Sequence, residues 1–163
     1  MVEHVGDALL PIYFEAVFTA LKPGGLFLNH GIVTQQVRER GVGRYFAQGS
    51  RFVEHYVFPD GELPRLALMA EAAADAGFEV RDVENMREHY AMTLRRWSWG
   101  LEHHETEARA LVGNATYNVW RFYVAGSAHS FAAGRLGVVQ MLLAKRALDG
   151  SAGVPLTRAD LYS

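Results

Sequence analysis

The stretch that decides the fold is Leu21-Lys22-Pro23-Gly24-Gly25-Leu26-Phe27-Leu28. Before it, apolar residues recur at helical spacing over residues 7–22, and Pro11 is tolerated because it falls near the first turn. The proline and the two glycines stop this helix. The three apolar residues that follow begin a short buried strand, which Ile32 and Val33 end. A helix, a glycine turn and a strand in this order indicate an α/β chain.

The same order repeats further along the chain. The pattern predicts a helix over residues 64–76, closed by Gly77, and a strand over residues 78–83. It then predicts helices over residues 91–112 and 115–133 with a break at Gly113-Asn114, a strand over residues 136–143, a long loop over residues 34–62 and a tail from residue 147. Only three strands can be counted, which is fewer than a doubly wound sheet normally has. We therefore expect the back half of such a sheet.

Composition excludes several kinds of site. Half of the 163 residues are hydrophobic and 12% are aromatic, so we expect a folded domain. There is no cysteine, which excludes disulfides, thiolate metal ligands and a cysteine nucleophile. The seven histidines form no convincing metal set, and the net charge of −2 gives no reason to expect nucleic acid. Without a long apolar run or a signal peptide, a soluble cytoplasmic protein is expected.

Polar residues interrupt the first predicted strand. Asn29-His30-Gly31 separates its apolar start from Ile32 and Val33. Open α/β sheets bind ligands at the carboxyl ends of their parallel strands. We therefore expect Asn29 and His30 to lie at that edge, in a binding site.

A series of longer motifs follows the same order as in a known family. The motifs are Glu3-His4-Val5-Gly6, Leu28-Asn29-His30-Gly31-Ile32, Tyr56-Val57-Phe58-Pro59-Asp60-Gly61-Glu62-Leu63-Pro64, Val83-Glu84-Asn85, His89-Tyr90-Ala91-Met92-Thr93-Leu94-Arg95, Trp97 and Trp120-Arg121-Phe122-Tyr123. In order and spacing they resemble the cyclopropane-fatty-acid and mycolic-acid cyclopropane synthases, from residue 3 to about residue 144.

The resemblance implies a fold and a cofactor. The fold is the last three strands of a Rossmann-like class I methyltransferase sheet with a C-terminal helical acyl-binding subregion, in one domain over residues 1–163. The cofactor is S-adenosylmethionine. The family's glycine-rich cofactor loop has no counterpart in this chain, so the upstream cofactor-binding half is absent and no cofactor-binding residue is assigned.

The resemblance also implies the reaction and the residues that carry it. The family transfers a methylene group from S-adenosylmethionine to the double bond of an unsaturated acyl chain, which closes a cyclopropane ring with bound bicarbonate as the base. By position, His30, Tyr90 and the backbone N–H of Ile32 would donate to bicarbonate, and Glu3 would accept from its hydroxyl. Each has an ordinary alternative role: helix-dipole stabilisation for Glu3, structural hydrogen bonding for His30 and core packing for Tyr90.

The C-terminal helices are expected to line the acyl channel with Trp97, Trp120, Tyr123 and Ser127. Ser127 stands where the family often has a cysteine. Ordinary core packing remains the alternative for these residues. Trp99 falls off the apolar stripe of its helix, so it is either an exposed aromatic residue by chance or an interfacial anchor.

Two other functions stay open at this point. A relative within the same family could add a methyl branch instead of a ring. The chain could also be a catalytically inactive remnant that binds lipids or a partner, with exposed sheet edges favouring a homo-oligomer. A lipid substrate would bring the protein into peripheral contact with the inner membrane face.

Overall fold

The structure is a computed structural model that describes residues 2–35, 51–59 and 61–159. Short 3-10 turns at Val2–His4 and Asp7–Leu9 precede the regular elements. In chain order these are α1 (Leu10–Ala20), β1 (Leu26–Thr34), α2 (Leu66–Asp75), β2 (Glu79–Asn85), α3 (Arg87–His103), α4 (Glu105–Ala132) and β3 (Leu136–Ala144). Residues 51–56 are also helical and lie inside the stretch over residues 34–62 that the sequence predicts to be mostly loop. Residues 36–50 and 60 of that loop lie outside the described ranges.

The three strands form one sheet in the order β1-β3-β2. The last strand runs antiparallel to both neighbours, so β1 and β2 are parallel to each other but not adjacent. Its sequence is almost continuously apolar because the sheet carries helices on both faces. The α/β class is confirmed, and the described residues contain the three predicted strands.

The predicted interruption of β1 is wrong. The strand continues to Thr34, and His30 lies in its middle, paired in register with Gln140 of β3. Because side chains alternate along a strand, Asn29 and His30 point to opposite faces. Asn29 is buried, and its Oδ1 accepts a hydrogen bond from the Tyr13 hydroxyl at 3.2 Å. His30 is exposed on the other face. Neither residue lies at the carboxyl edge of a parallel sheet.

Each face of the sheet has its own hydrophobic core. The first core joins α1 and α2 to the sheet, and its fully buried members include Phe14, Met69, Met141 and Leu143. The second core joins α3 and α4 to the opposite face through Val138 and the half-buried Ile32. The molecule therefore has three layers, with the predicted acyl-binding helices on the second face.

A distant lysine closes the C-terminal end of α1. Lys145, just after β3, donates hydrogen bonds to the carbonyl oxygens of Phe18 and Leu21, both at 2.7 Å. The carbonyl groups at the end of a helix lack partners within the helix, so a cation there is favourable. The turn that follows needs a glycine, because Gly24 has φ of 78°. Gly77 closes α2 as predicted, with φ of 102°.

The long helix α4 contains the predicted break. Gly113 has φ of 78° and ψ of 165°, so residues 105–112 and 114–132 are two helical pieces that meet at this glycine. Arg109 bridges the break, because its guanidinium donates to Glu105 on one side and to Asn114 and Asn118 on the other. The second piece lies alongside α3, where the Tyr117 hydroxyl donates to the Leu101 carbonyl oxygen at 3.1 Å.

None of the described helices combines the length and the apolar content that a membrane crossing requires.

Candidate active site

Glu3 and Ile32 are brought into direct contact. The 3-10 turn at Val2–His4 packs against β1, and the Ile32 N–H donates to Glu3 Oε1 at 2.7 Å. This approach requires the glycine between the two partners. A Cβ at Gly31 would stand 2.4 Å from Cγ1 of the buried Val2 and 3.5 Å from Glu3 Oε1. The glycine of the Asn29-His30-Gly31 sequence therefore makes room for the turn that carries Glu3.

The segment after residue 60 fixes this turn from the other side. The Glu62 N–H donates to the Glu3 carbonyl oxygen at 3.0 Å, and Glu62 Oε2 accepts from the Asp7 N–H at the same distance. The Thr34 N–H donates to the Pro64 carbonyl oxygen at 3.0 Å. Three segments that are distant in sequence thus meet beside the end of β1.

The carboxyl group of Glu3 favours its charged form. Burial raises the pKa of Glu3, but the chain's N-terminal amine and the hydrogen bond from the Ile32 N–H outweigh burial and lower the pKa below its ordinary value. The site therefore contains a carboxylate at neutral pH.

Two tyrosines on the second face extend the site. Tyr90 lies near the start of α3 and Tyr123 lies in α4, and both are half-buried in the core that includes Ile32. Burial raises the pKa of Tyr90, and the charges of Tyr123 and Glu3 raise it further. Burial also raises the pKa of Tyr123, against a smaller lowering by a hydrogen bond with Ser127. Both phenols therefore keep their protons and can act as hydrogen-bond donors.

His30 shares a face of β1 with Ile32, because the two residues are two positions apart. Its side chain is exposed and makes no hydrogen bond or ion pair within the part of the chain that the structure describes. Of the four predicted bicarbonate ligands, Glu3 and Ile32 are in direct contact. Tyr90 is close enough for the charge of Glu3 to raise its pKa. His30 lies on the same face of β1 as Ile32.

The predicted channel residues form aromatic pairs beside these groups. Trp97 contacts Tyr90 edge to face at a ring separation of 6.1 Å, and Trp120 contacts Tyr123 in the same way at 5.6 Å. Trp97 is 51% exposed and Trp120 is 42% exposed, so each tryptophan forms a rim and each tyrosine lies deeper. Ser127 is half-buried one helical turn beyond Tyr123.

Sequence reasoning assigned no role to two further residues at this site. The ring of Phe58 lies 5.8 Å from that of Tyr123 and 5.7 Å from that of His4. Phe58 thus joins the turn that carries Glu3 to the aromatic residues of α4. Phe58 belongs to the motif over residues 56–64, and His4 directly follows Glu3. Both residues therefore lie in motifs that the sequence analysis had already singled out.

The site has the donors of an anion-binding site and lacks those of a metal centre. No group of three or more His, Asp or Glu side chains that could hold a metal ion occurs in residues 2–35, 51–59 and 61–159. An N–H group, a protonated phenol, an imidazole and a carboxylate are the kinds of groups that bind a small oxyanion carrying a hydroxyl group.

Comparison with known proteins agrees with this architecture. The sequence model of the family described as mycolic acid cyclopropane synthetase matches residues 1–141. The chain belongs to this family. It is 44% identical to a Pseudomonas putida protein named as a probable fatty acid methyltransferase, over 162 residues that make up 99% of this chain and 40% of the relative.

Solved structures of the mycolic acid cyclopropane synthetase family show the same fold. The cyclopropane synthase MmaA2 from Mycobacterium tuberculosis superposes with a TM-score of 0.83 at 29% identity, covering 89% of this chain and 53% of that one. A structure of the mycolic acid cyclopropane synthase CmaA1 complexed with SAH and CTAB also gives a TM-score of 0.83, at 31% identity over 87% of this chain and 52% of that one. This chain therefore has part of a class I methyltransferase fold and spans about half, or less, of the length of these relatives.

Proposed function

We propose that this chain is the carboxy-terminal part of a methyltransferase that forms a cyclopropane ring on an unsaturated fatty acyl chain. The observation that carries the proposal is the hydrogen bond from the Ile32 N–H to Glu3, next to a protonated Tyr90 and the aromatic residues of α3 and α4. This site combines groups that can bind an anion with an apolar surface, and a reaction on an acyl chain requires both. We expect the protein to work in the cytoplasm, in peripheral contact with the inner membrane face.

Bicarbonate is the proposed anion. The Ile32 N–H, the Tyr90 hydroxyl and the His30 imidazole supply donors, and the Glu3 carboxylate supplies an acceptor for the hydroxyl group. Bound there, bicarbonate would supply a base. Because the Ile32 N–H donates to Glu3, binding requires the carboxylate to release that N–H and turn toward the hydroxyl group of the anion.

The aromatic pairs are the proposed acyl-binding surface. Trp97 with Tyr90 and Trp120 with Tyr123 offer ring faces on the side of the sheet that also carries His30. An apolar lining excludes water from the reacting double bond and holds it in one orientation. The names of the relatives, a fatty acid methyltransferase and cyclopropane synthases, support an acyl substrate.

The sequence lacks the family's glycine-rich motif for S-adenosylmethionine. The co-substrate supplies a methyl group on a sulfonium, but the sequence holds no glycine-rich strand–loop–helix of the kind that binds it. We therefore assign the methyl donor to the portion of the relatives that lies outside the matched half. Calorimetric titration of the 163-residue chain with S-adenosylmethionine should show no binding in the micromolar range.

A chimeric enzyme tests the proposal. Residues 1–163 would replace the matching segment of the Pseudomonas putida relative, which is 44% identical, and the chimera would be expressed in bacteria. We expect cyclopropane acyl chains in the extracted lipids, identified by NMR of the ring protons. His30→Ala should lower turnover by at least tenfold and change affinity for S-adenosylmethionine little.

A matched histidine provides the control. His89 is exposed on α3, and its side chain makes no hydrogen bond to the described residues. His89→Ala should therefore leave turnover unchanged. A His30→Ala chimera as active as the parent would exclude the assigned role, and equal losses of turnover and affinity would show that His30 shapes the cofactor pocket instead.

Methyl branching is the second candidate. It is supported by the Pseudomonas putida relative, which is named as a probable fatty acid methyltransferase, a name that does not mention a cyclopropane ring. A ring and a methylene branch on the same monoenoic chain have equal mass, so NMR of the chimera's lipids is needed to distinguish them.

A further inference from the structure

An outward-facing patch on α3 takes no part in the site described above. It consists of Met92, Arg95, Arg96 and Trp99, which are all exposed. Arg95 and Arg96 precede Trp99 by four and three residues, so the three side chains share one side of the helix. They line a shallow cavity of about 340 Å³. Trp97, two positions from Trp99, instead faces Tyr90.

The two arginines of this patch have no anionic partner within the described ranges. Neither makes a hydrogen bond or an ion pair there. The nearest acidic residues of the helix are engaged elsewhere, since Glu88 pairs with Arg87 and Glu102 lies 3.4 Å from Arg121 of α4. Among the described residues, nothing pairs with these two positive charges at the centre of the patch, although the chain as a whole has a net charge of −2.

Trp99 adds an ordered apolar surface to these charges. It is 59% exposed, and its ring stacks on His103 with a centroid separation of 3.9 Å. His103 Nδ1 lies 2.9 Å from the Trp99 carbonyl oxygen, so a contact within the helix orders both rings. Met92, two helical turns from Trp99 and one turn from Arg95 and Arg96, is 54% exposed. Tryptophan is favoured at the level of lipid headgroups, and arginine binds phosphate with two parallel hydrogen bonds.

We propose that the patch of Met92, Arg95, Arg96 and Trp99 docks the protein on an anionic phospholipid surface. The phosphate groups would lie against the two guanidinium groups, with Trp99 and Met92 inserted among the headgroups. A helix is about 10 Å thick, so docking by its outer side would bring the aromatic pairs on its inner side close to the acyl chains. The inference deepens the proposed function, on which it rests for the need to reach a lipid.

Vesicle co-sedimentation of the 163-residue chain tests the docking separately from catalysis. Vesicles of diphytanoyl phosphatidylglycerol and diphytanoyl phosphatidylcholine have saturated chains, so binding to them does not depend on recognition of a double bond. We expect the chain to bind the anionic vesicles and not the zwitterionic ones, with binding that weakens as salt is raised. The double substitution Arg95→Gln/Arg96→Gln should weaken binding by about thirtyfold, because each cation contributes about fivefold at such a surface.

A second double variant separates the position of the charges from their number. Lys22 and Arg65 are exposed and lie outside α3, so Lys22→Gln/Arg65→Gln lowers the net charge equally. It should leave binding unchanged within about threefold. Circular dichroism should give the same melting temperature for both double variants, since neither pair of cations has a partner within the described ranges.

Quenching by brominated lipids reports on the tryptophan. Fluorescence of the bound chain should be quenched strongly, and the substitution Trp99→Phe should remove most of the quenching while Trp97 and Trp120 remain. The proposal is overturned if the wild-type chain does not bind anionic vesicles, or if the two double variants lose binding equally. It is also overturned if soluble polyglutamate binds as tightly as the vesicles, because that would indicate an acidic protein partner. None of these results bears on ring formation by the chimera.

Discussion

The substitution Gly31→Ala tests the link between the fold and the candidate site. The added Cβ would stand 2.4 Å from Val2 Cγ1, about 1 Å short of the 3.4 Å at which ordinary contact begins. Val2 is 1% exposed and packed in the first core, so moving its side chain disturbs that packing. The 3-10 turn as a whole must shift, and the Glu3 carboxylate moves with it.

The expected destabilisation follows from this overlap. Inserting a methyl group into a packed core costs about 1–3 kcal/mol. For a chain of this size, that corresponds to a fall in melting temperature of roughly 2–12 °C. The hydrogen bond from Ile32 to Glu3 should lengthen or break, because Gly31 precedes the donor directly. Its loss should speed hydrogen exchange of the Ile32 amide.

Thermal unfolding and amide hydrogen exchange measure the two effects. Gly126→Ala is the matched control, since a Cβ at this position in α4 meets nothing within 4 Å and alanine favours a helix. Shortening the Val2 side chain removes the atom that the new Cβ would meet. The double variant Val2→Ala/Gly31→Ala should therefore be more stable than the sum of its single substitutions implies. A Gly31→Ala chain with the parent's melting temperature and Ile32 exchange rate would refute the reasoning.

Two further predictions concern stability. Lys145→Met should lower the free energy of unfolding in urea by about 2 kcal/mol, because the carbonyl groups of Phe18 and Leu21 lose a charged donor; an unchanged urea midpoint would contradict this. The raised pKa of Tyr90 implies stability that is complete below the ordinary tyrosine value of 10.0 and declines as pH rises through the folded-state pKa. In Tyr90→Phe, the free energy of unfolding should decline less steeply above pH 10. Urea unfolding measured across that pH range tests this, and a pH dependence equal to that of the parent chain would contradict it.

The helices and strands were predictable where local patterns decide them. Proline and glycine fixed the ends of α1 and α2, and the break at Gly113 was visible as a Gly-Asn pair in an otherwise helical stretch. The continuation of β1 through Asn29 and His30 was not, because two polar residues inside a strand resemble its end. The hydroxyl of Tyr13 supplies the hydrogen bond that allows Asn29 to be buried in the strand. Because Tyr13 lies on α1, the sequence of the strand does not reveal this partner.

The candidate site depends on contacts that no local pattern contains. The motifs identified Glu3, Ile32 and Tyr90, and the resemblance to the cyclopropane synthases assigned them to one site. The direct hydrogen bond between Glu3 and Ile32 was not anticipated, because the prediction gave both groups to an anion. The role of Phe58 in joining His4 to Tyr123 was also missed, since ring contacts between distant segments leave no periodicity in a sequence.

By itself, the sequence determined the α/β class, the three strands and the family, because hydrophobic periodicity, turn residues and motif order are properties of neighbouring positions. Only the tertiary structure decided that β3 lies antiparallel between β1 and β2, which places α1 and α2 on one face and α3 and α4 on the other. That choice follows from burying apolar surface on both sides of a central strand. It also leaves Arg95, Arg96 and Trp99 facing outward, opposite the aromatic residues of the site.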